Sequence, residues 1–260
     1  MSLNMSVAAP ETLLLVLALA VLSIDLFVSD ARRNISYVLT LVSIVAVGAV
    51  CVWQLGDPSV QYAFGGLYVA DLMTSLLKVF ACLAVALVLV YSQGYARDRG
   101  LWKGELFSLS LFTLLGIMLM ISANHLLVIY LGLELQALAL YSLVALRRDN
   151  ARATEAAMKY FILGALASGF LLYGLSMLYG ATGTLDINTL GHDIVLKSYV
   201  SRSALVLGLV FVVVGLAFKL GAVPFHMWVP DVYDGAPTPV TLLIGSAPKL
   251  AVFAIAFRLL

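Results

Sequence analysis

Eight runs of about 20 predominantly apolar residues follow one another along the chain, near 12–29, 35–54, 71–93, 106–122, 125–146, 154–180, 203–222 and 239–259. The hydrocarbon core of a bilayer is about 30 Å thick and takes about 20 helical residues to cross. Inside it, each backbone N–H and C=O must find a partner within the spanning structure, which for single runs of this length means α-helix. The sequence therefore predicts an all-α polytopic membrane protein with about eight transmembrane helices, seated in a lipid bilayer. Composition agrees, with 63% hydrophobic and 11% charged residues, against roughly 25% charged in an ordinary soluble domain. A net charge of +1 gives no basis for a nucleic-acid partner.

Orientation follows from the basic residues. Alternate connections carry Arg32 and Arg33, then Arg97, Arg99 and Lys103, then Arg147, Arg148 and Arg152, eight in all, whereas the opposite connections carry only Lys197 and Arg202. Arginine-rich connections stay cytoplasmic. No Lys or Arg precedes the first run and two arginines follow it, so that run reads as a retained helix rather than a cleaved signal peptide, with the N-terminus outside.

Little in the chain points to redox, metal or nucleotide chemistry of its own. Cys51 and Cys82 sit singly in apolar stretches and read as small buried hydrophobes. His192, between Gly191 and Asp193 in the long 181–202 connection, reads as part of a solvated loop. There is no Gly-rich phosphate loop and no paired haem-type histidine, so electron or nucleotide chemistry is expected to belong to partners. Gly164, Ala165, Ser168, Gly169 and Gly174 in the sixth run are expected to let helices approach closely.

After the seventh run the chain reads Pro224-Phe-His226-Met-Trp228-Val-Pro230-Asp231-Val-Tyr233-Asp234-Gly235-Ala-Pro237-Thr-Pro239. A continuous helix over 203–235 would be about 50 Å long, more than a membrane needs, and Pro224 is expected to break it. Two readings stand: a discontinuous seventh helix of the kind that lines ion pathways, or a helix ending at the surface with a Pro-rich loop after it.

Charged groups at the middle of a membrane helix cost about 2.5–3.5 kcal/mol each on insertion scales. Asp25, Asp71, Lys78 and Arg258 lie toward span ends, where snorkelling or a structural role accounts for them. Glu134 and Lys249 lie about ten residues into their helices, Lys219 lies midway along the long broken segment, and Lys159 is about one and a half turns in from the cytoplasmic side. One carboxylate and three amines on neighbouring helices suit a chain of proton sites. They also suit plain ion pairs that hold helices together.

The run from Phe218-Lys219 through Pro224, His226, Pro230 and Asp231 to Pro239 resembles the signature of the antiporter-like membrane subunits of respiratory complex I, bacterial NADH:quinone oxidoreductase. Asn124-His125 through Gly132-Leu-Glu134-Leu also fits. The Asp-Val-Tyr-x-Gly-Ala-Pro wording, Ser246-Ala-Pro248-Lys249 and Glu155-Ala-Ala-Met-Lys159-Tyr160 favour one paralogue of that family over the others. The resemblance is highly specific over 122–260 and weaker over 1–105. It implies a proton-translocating subunit in which Glu134, Lys159, Lys219 and Lys249 link half-channels at mid-membrane, driven by quinone reduction elsewhere. It also implies no cofactor in this chain: NADH, flavin, iron–sulfur clusters and quinone would belong to the rest of the complex, whose other membrane subunits would be its partners in a bacterial inner membrane. Family members have about fourteen helices with two inverted five-helix repeats, so residues 1–105 are expected to form three N-terminal helices and 106–260 the first repeat, the second being absent. An antiporter subunit of a multisubunit cation/proton exchanger or membrane hydrogenase shares this fold, and a purely structural spacer is the remaining alternative.

Overall fold

The computed structural model describes residues 4–196 and 202–259, the side chains of 192–196 aside. In chain order the elements are α1 (Ala9–Asp25), α2 (Asn34–Gln54), β1 (Gln61–Ala63), β2 (Tyr68–Ala70), α3 (Leu72–Tyr91), α4 (Gln93–Asp98), α5 (Gly104–Ile121), α6 (Leu126–Val144), α7 (Ala151–Thr182), α8 (Ile187–Leu196), α9 (Arg202–Leu220), α10 (Trp228–Gly235), α11 (Thr238–Gly245) and α12 (Ala247–Leu259). Among the described residues seven stretches are long and apolar enough to cross a membrane, α11 and α12 together counting as one. The first predicted run is α1, whose 17 residues span about 25 Å. The chain is thus a helical, multi-pass membrane protein.

The centre is α5. Of its residues 78% are buried, against 33% for α9, because α1, α2, α3, α6 and α12 all pack on it. The remaining layer is α7 against α9, with α10 and α6 alongside. Close approach of α7 and α9 needs glycine: a Cβ on Gly174 would stand 2.8 Å from the Gly208 carbonyl oxygen, and one on Gly208 3.1 Å from that of Gly174. Of the small residues expected to pack, Gly164, Ser168 and Gly174 are buried, whereas Ala165 and Gly169 face outward. Small residues on one helix cannot all share its contact face.

Each end of the bundle is knit by its own polar contacts. At one end the β1–β2 hairpin pairs Gln61 with Ala70 and Ala63 with Tyr68, and Val69 N–H donates to the Ser122 carbonyl. There Arg258 pairs with Asp71 at 2.9 Å, and Asp71 also caps α3 in a capping box with Thr74. At the arginine-rich end Arg33 pairs with Asp25 at 2.7 Å, Arg148 with Glu105 at 2.8 Å, and Arg97 donates to the Asn34 amide oxygen. Asp25 and Arg258, expected to reach for the interface, are instead ion-paired within the protein.

Three local expectations change, and one, the burial of the two cysteines, holds and is extended. The 55–70 connection contains the hairpin, and a short helix, α4, follows α3. The 181–202 connection is not simply a loop: it contains α8, which includes His192, though the side chain of His192, like all of Lys197, lies outside the described residues. Cys51 and Cys82, distant in sequence, are free, buried and side by side. The last run is interrupted at Ser246, whose φ of −111° and ψ of −91° lie outside the helical region, one residue before the Ala247-Pro248 start of α12. Pro248 has no N–H to give to the Ile244 carbonyl one turn back, and its ring crowds that carbonyl.

Candidate functional site: charged groups at the end of a broken helix

The seventh helix ends at Gly221, not at Pro224 as the sequence leads one to expect. Gly221 has φ +69°, a left-handed conformation that glycine adopts without strain. Its N–H donates to the Phe218 carbonyl at 3.0 Å, and the Ala222 N–H to that of Ala217 at 2.9 Å, the two bonds of a Schellman end. Pro224, after a cis Val223-Pro224 bond, lies in the irregular segment that follows, and α10 resumes at Trp228. The seventh helix is therefore discontinuous, with helix resuming where a plain Pro-rich loop would have run on.

A helix end leaves four carbonyls without intrahelical partners. Here the first two accept from Ala222 and Gly221, and the indole N–H of Trp228 also donates to Phe218 at 2.9 Å. The remaining two belong to Lys219 and Leu220, and both accept from the Lys249 ammonium, at 3.2 and 2.5 Å. A cation on the last turn also meets the negative end of the helix dipole. Lys249 sits in the first turn of α12, so two interrupted helices meet at one ammonium group.

Lys219 itself points to α6. Its Nζ is 3.4 Å from the Tyr141 hydroxyl and 5.6 Å from the centre of that ring. Tyr141 lies seven residues, or two turns, beyond Glu134, so both occupy one face of α6. Glu134 acts electrostatically on both Lys219 and Tyr141. One carboxylate oxygen of Glu134 is buried with no hydrogen-bond partner. A buried acceptor left open costs free energy, which favours any donor that can reach it. Tyr141 packs edge-on against Tyr160 at 4.7 Å, and Tyr160 stacks on Trp228 at 4.8 Å, which walls the break with aromatic rings.

Lys159 stands apart. It pairs with Glu155 at 2.8 Å, one turn back on α7, and with Asp231 of α10 at 3.0 Å. The Lys159 and Asp231 side chains are 42% and 51% exposed, at the rim of a polar cavity of about 210 Å³ lined by Arg152, Glu155, Asp231 and Asp234. Among the described residues no hydrogen bond or ion pair joins Lys159 to Glu134, Lys219 or Lys249. Of the four expected proton-site residues, three thus group at the break and Lys159 lies outside, paired with Glu155. Of the motif residues, Asp231 joins that pair, while Pro224, His226 and Pro230 are exposed on the segment after the break. Tyr141 and Trp228 were not expected to contribute. The seven-residue spacing from Glu134 could have flagged Tyr141, whereas Trp228 reaches Phe218 only through the fold.

Residues 123–260 match the family model described as NADH:quinone oxidoreductase/Mrp antiporter, TM. The chain is 56% identical over 263 aligned positions, covering 100% of it and 53% of the relative, to an NADH-quinone oxidoreductase subunit N of Herminiimonas arsenicoxydans. It spans about half the length of the curated relatives it matches. Among solved structures, a chain of respiratory complex I from Thermus thermophilus superposes with a TM-score of 0.79 at 32% identity, over 96% of this chain and 52% of that one. A chain of the Mrp complex from Dietzia sp. DQ12-45-1b shares the fold at a TM-score of 0.80 and 20% identity, over 98% of this chain and 48% of that one.

Proposed function

Because the chain belongs to the NADH:quinone oxidoreductase/Mrp antiporter transmembrane family, we propose that it is a proton-translocating part of the membrane arm of a bacterial NADH:quinone oxidoreductase, corresponding to three leading helices and the first five-helix repeat of a subunit N. Its neighbours are then the other membrane subunits of that complex. The redox groups (NADH, flavin, iron–sulfur clusters and quinone) act elsewhere, and this chain holds none of them. The N-terminus lies on the periplasmic side of the inner membrane, as the eight arginine-side basic residues require.

The observation that carries this reading is the group at the helix break. Lys219 stands between the hydroxyl of Tyr141 and the Lys249-capped end of its own helix, beside a carboxylate with an open oxygen. A lysine ammonium is a compact donor on a flexible stem, and a small rotation carries it from Tyr141 toward Glu134. A proton can then pass between Lys219 and Glu134 directly or through one water. Lys249 responds to the same event through the two carbonyls it holds. Lys159, at the cavity rim, offers the entry from the arginine-rich face, and Asp231 and Glu155 keep it charged and in place.

The test is proton pumping driven by NADH in inverted membrane vesicles that carry the full-length protein. Lys219→Ala and Glu134→Ala should each lower pumping at least about tenfold while assembly persists, since each removes a group that must hold the proton in transit. Undiminished pumping in both would leave the chain a structural spacer. The likeness to the Mrp complex chain is one of fold alone, and an exchanger role would appear as sodium-dependent proton movement without NADH.

A further inference from the structure

A second set of buried charges lies at the hairpin end, away from the helix break. Lys78 of α3 is fully buried and Glu11 of α1 is 4% exposed; their ammonium and carboxylate meet at 2.7 Å. Tyr68 of β2 closes the group into a ring: its hydroxyl accepts from Lys78 at 2.7 Å and donates to the other Glu11 oxygen at 2.7 Å. The Ser122 hydroxyl, just past α5, donates to Glu11 at 3.5 Å. Cys51 of α2 and Cys82 of α3 flank the pair. Asp71 and Arg258, at the same end of the bundle, are engaged with each other.

The ring itself is buried, and its three residues stand behind the wall of a neighbouring cavity rather than on it. That cavity, of about 430 Å³, opens at the hairpin end and is lined by polar residues that include Gln54, Asp57, Asp71 and Ser75. The Val7 carbonyl, also on its wall, accepts from Gln54 at 3.0 Å and lies 3.4 Å from the Tyr68 hydroxyl. Ser75 stands one helical turn before Lys78 on the same face of α3. The side-chain oxygen of Gln54 is buried without a partner, as it would be where an ordered water completes its bonding.

We propose that Glu11, Tyr68 and Lys78 form a second proton-exchanging site, separate from the Glu134–Lys219–Lys249 group and served by the cavity at the hairpin end. Within the ring one N–H bond of Lys78 breaks as its proton moves to the Tyr68 oxygen, and the Tyr68 O–H proton passes to Glu11. The products are a neutral amine, a phenol and a carboxylic acid, so charge and protons balance without an outside reactant. In a medium that penalises charge, this neutral arrangement is accessible. A proton from cavity water then re-forms the ammonium, and release of the Glu11 proton to that water restores the ion pair. Burial, and then the neighbouring Glu11 carboxylate, push the Tyr68 phenol upward, so it relays as a neutral hydroxyl. A plain structural brace needs the ion pair but neither the hydroxyl that bridges it nor the polar-lined cavity beside it.

The test is infrared difference spectroscopy of the full-length protein, purified with whatever it co-assembles with and reconstituted in lipid, between roughly pH 5 and pH 9. The expected result is a protonated-carboxyl carbonyl band that grows as pH falls and is absent from Glu11→Gln. Tyr68→Phe, which leaves both charges in place, should shift that band, and it makes the assignment if Glu11→Gln does not assemble. No titrating band lost in Glu11→Gln, or none shifted by Tyr68→Phe, would overturn the proposal and leave the group a brace. The readout does not depend on pumping, so it stands or falls apart from the role proposed for Lys219.

Discussion

The two buried groups use the same residue types and bond them in opposite ways. At the hairpin end Glu11 and Lys78 touch directly, and every polar atom of the ring has a partner within the ring or beside it. At the helix break Glu134 and Lys219 are not paired: the lysine rests weakly on a tyrosine, Lys249 rests on backbone carbonyls, and a carboxylate oxygen is left open. A closed pair in a low-dielectric interior is hard to break, because removing one partner strands the other charge. An open row holds its charges with replaceable contacts, so a proton can arrive and leave. In the roles proposed above, the first arrangement exchanges a proton locally and the second passes one on.

The sharpest way to break this contrast is Lys78→Ala. It leaves the buried Glu11 carboxylate without its counter-charge and should cost about 3–5 kcal/mol, seen as loss of assembled protein on native gels or a large drop in thermal stability. The double change Glu11→Gln with Lys78→Met should recover most of it, since neither residue is then charged. Normal stability of Lys78→Ala would mean that the hairpin-end pair is as loosely held as the row.

The reverse outcome is expected for Lys249. Lys249→Ala should assemble yet depress quinone-reductase turnover, and Lys249→Arg should also impair it, because guanidinium does not give up its proton at accessible pH. Full turnover of the arginine variant would mark Lys249 as a helix cap and nothing more. Tyr141→Phe removes the hydroxyl that Lys219 touches, a bond worth about 1 kcal/mol. A fall of roughly fivefold in pumping with intact assembly is expected, read in the same vesicles. The smallest effect should come from Asp231→Asn. Its partner Lys159 is exposed and keeps Glu155, and exposed ion pairs contribute little, so turnover should change by no more than about twofold.

Much of the fold was legible because the bilayer demands it. Runs of about 20 apolar residues have one backbone solution in lipid, and all eight predicted runs are helical, the last with an interruption at Ser246 and the others with ends displaced by a few residues. The discontinuity after the seventh run was also legible, although its cause was misplaced: Pro224 looked like the breaker, but Gly221, three residues earlier, ends the helix by a left-handed turn whose bonds close locally. The β1–β2 hairpin was not legible, since its strands are three residues each and carry no alternation long enough to read.

Of the candidate site, the sequence by itself determined which residues are costly: Glu134 and Lys249 lie about ten residues into apolar runs, and Lys219 midway along the long interrupted segment, positions that follow from spacing alone. It did not determine who their partners are. Only the tertiary structure set Lys249 on the carbonyls of the broken helix, moved Lys159 out to Asp231, and brought Glu11, 67 positions from Lys78 in the chain, into contact with it. Depth in a membrane depends on distance along one helix, which a linear sequence records. Partnership depends on which faces of different helices meet, and that is settled by packing around α5, where no local pattern of residues carries the answer.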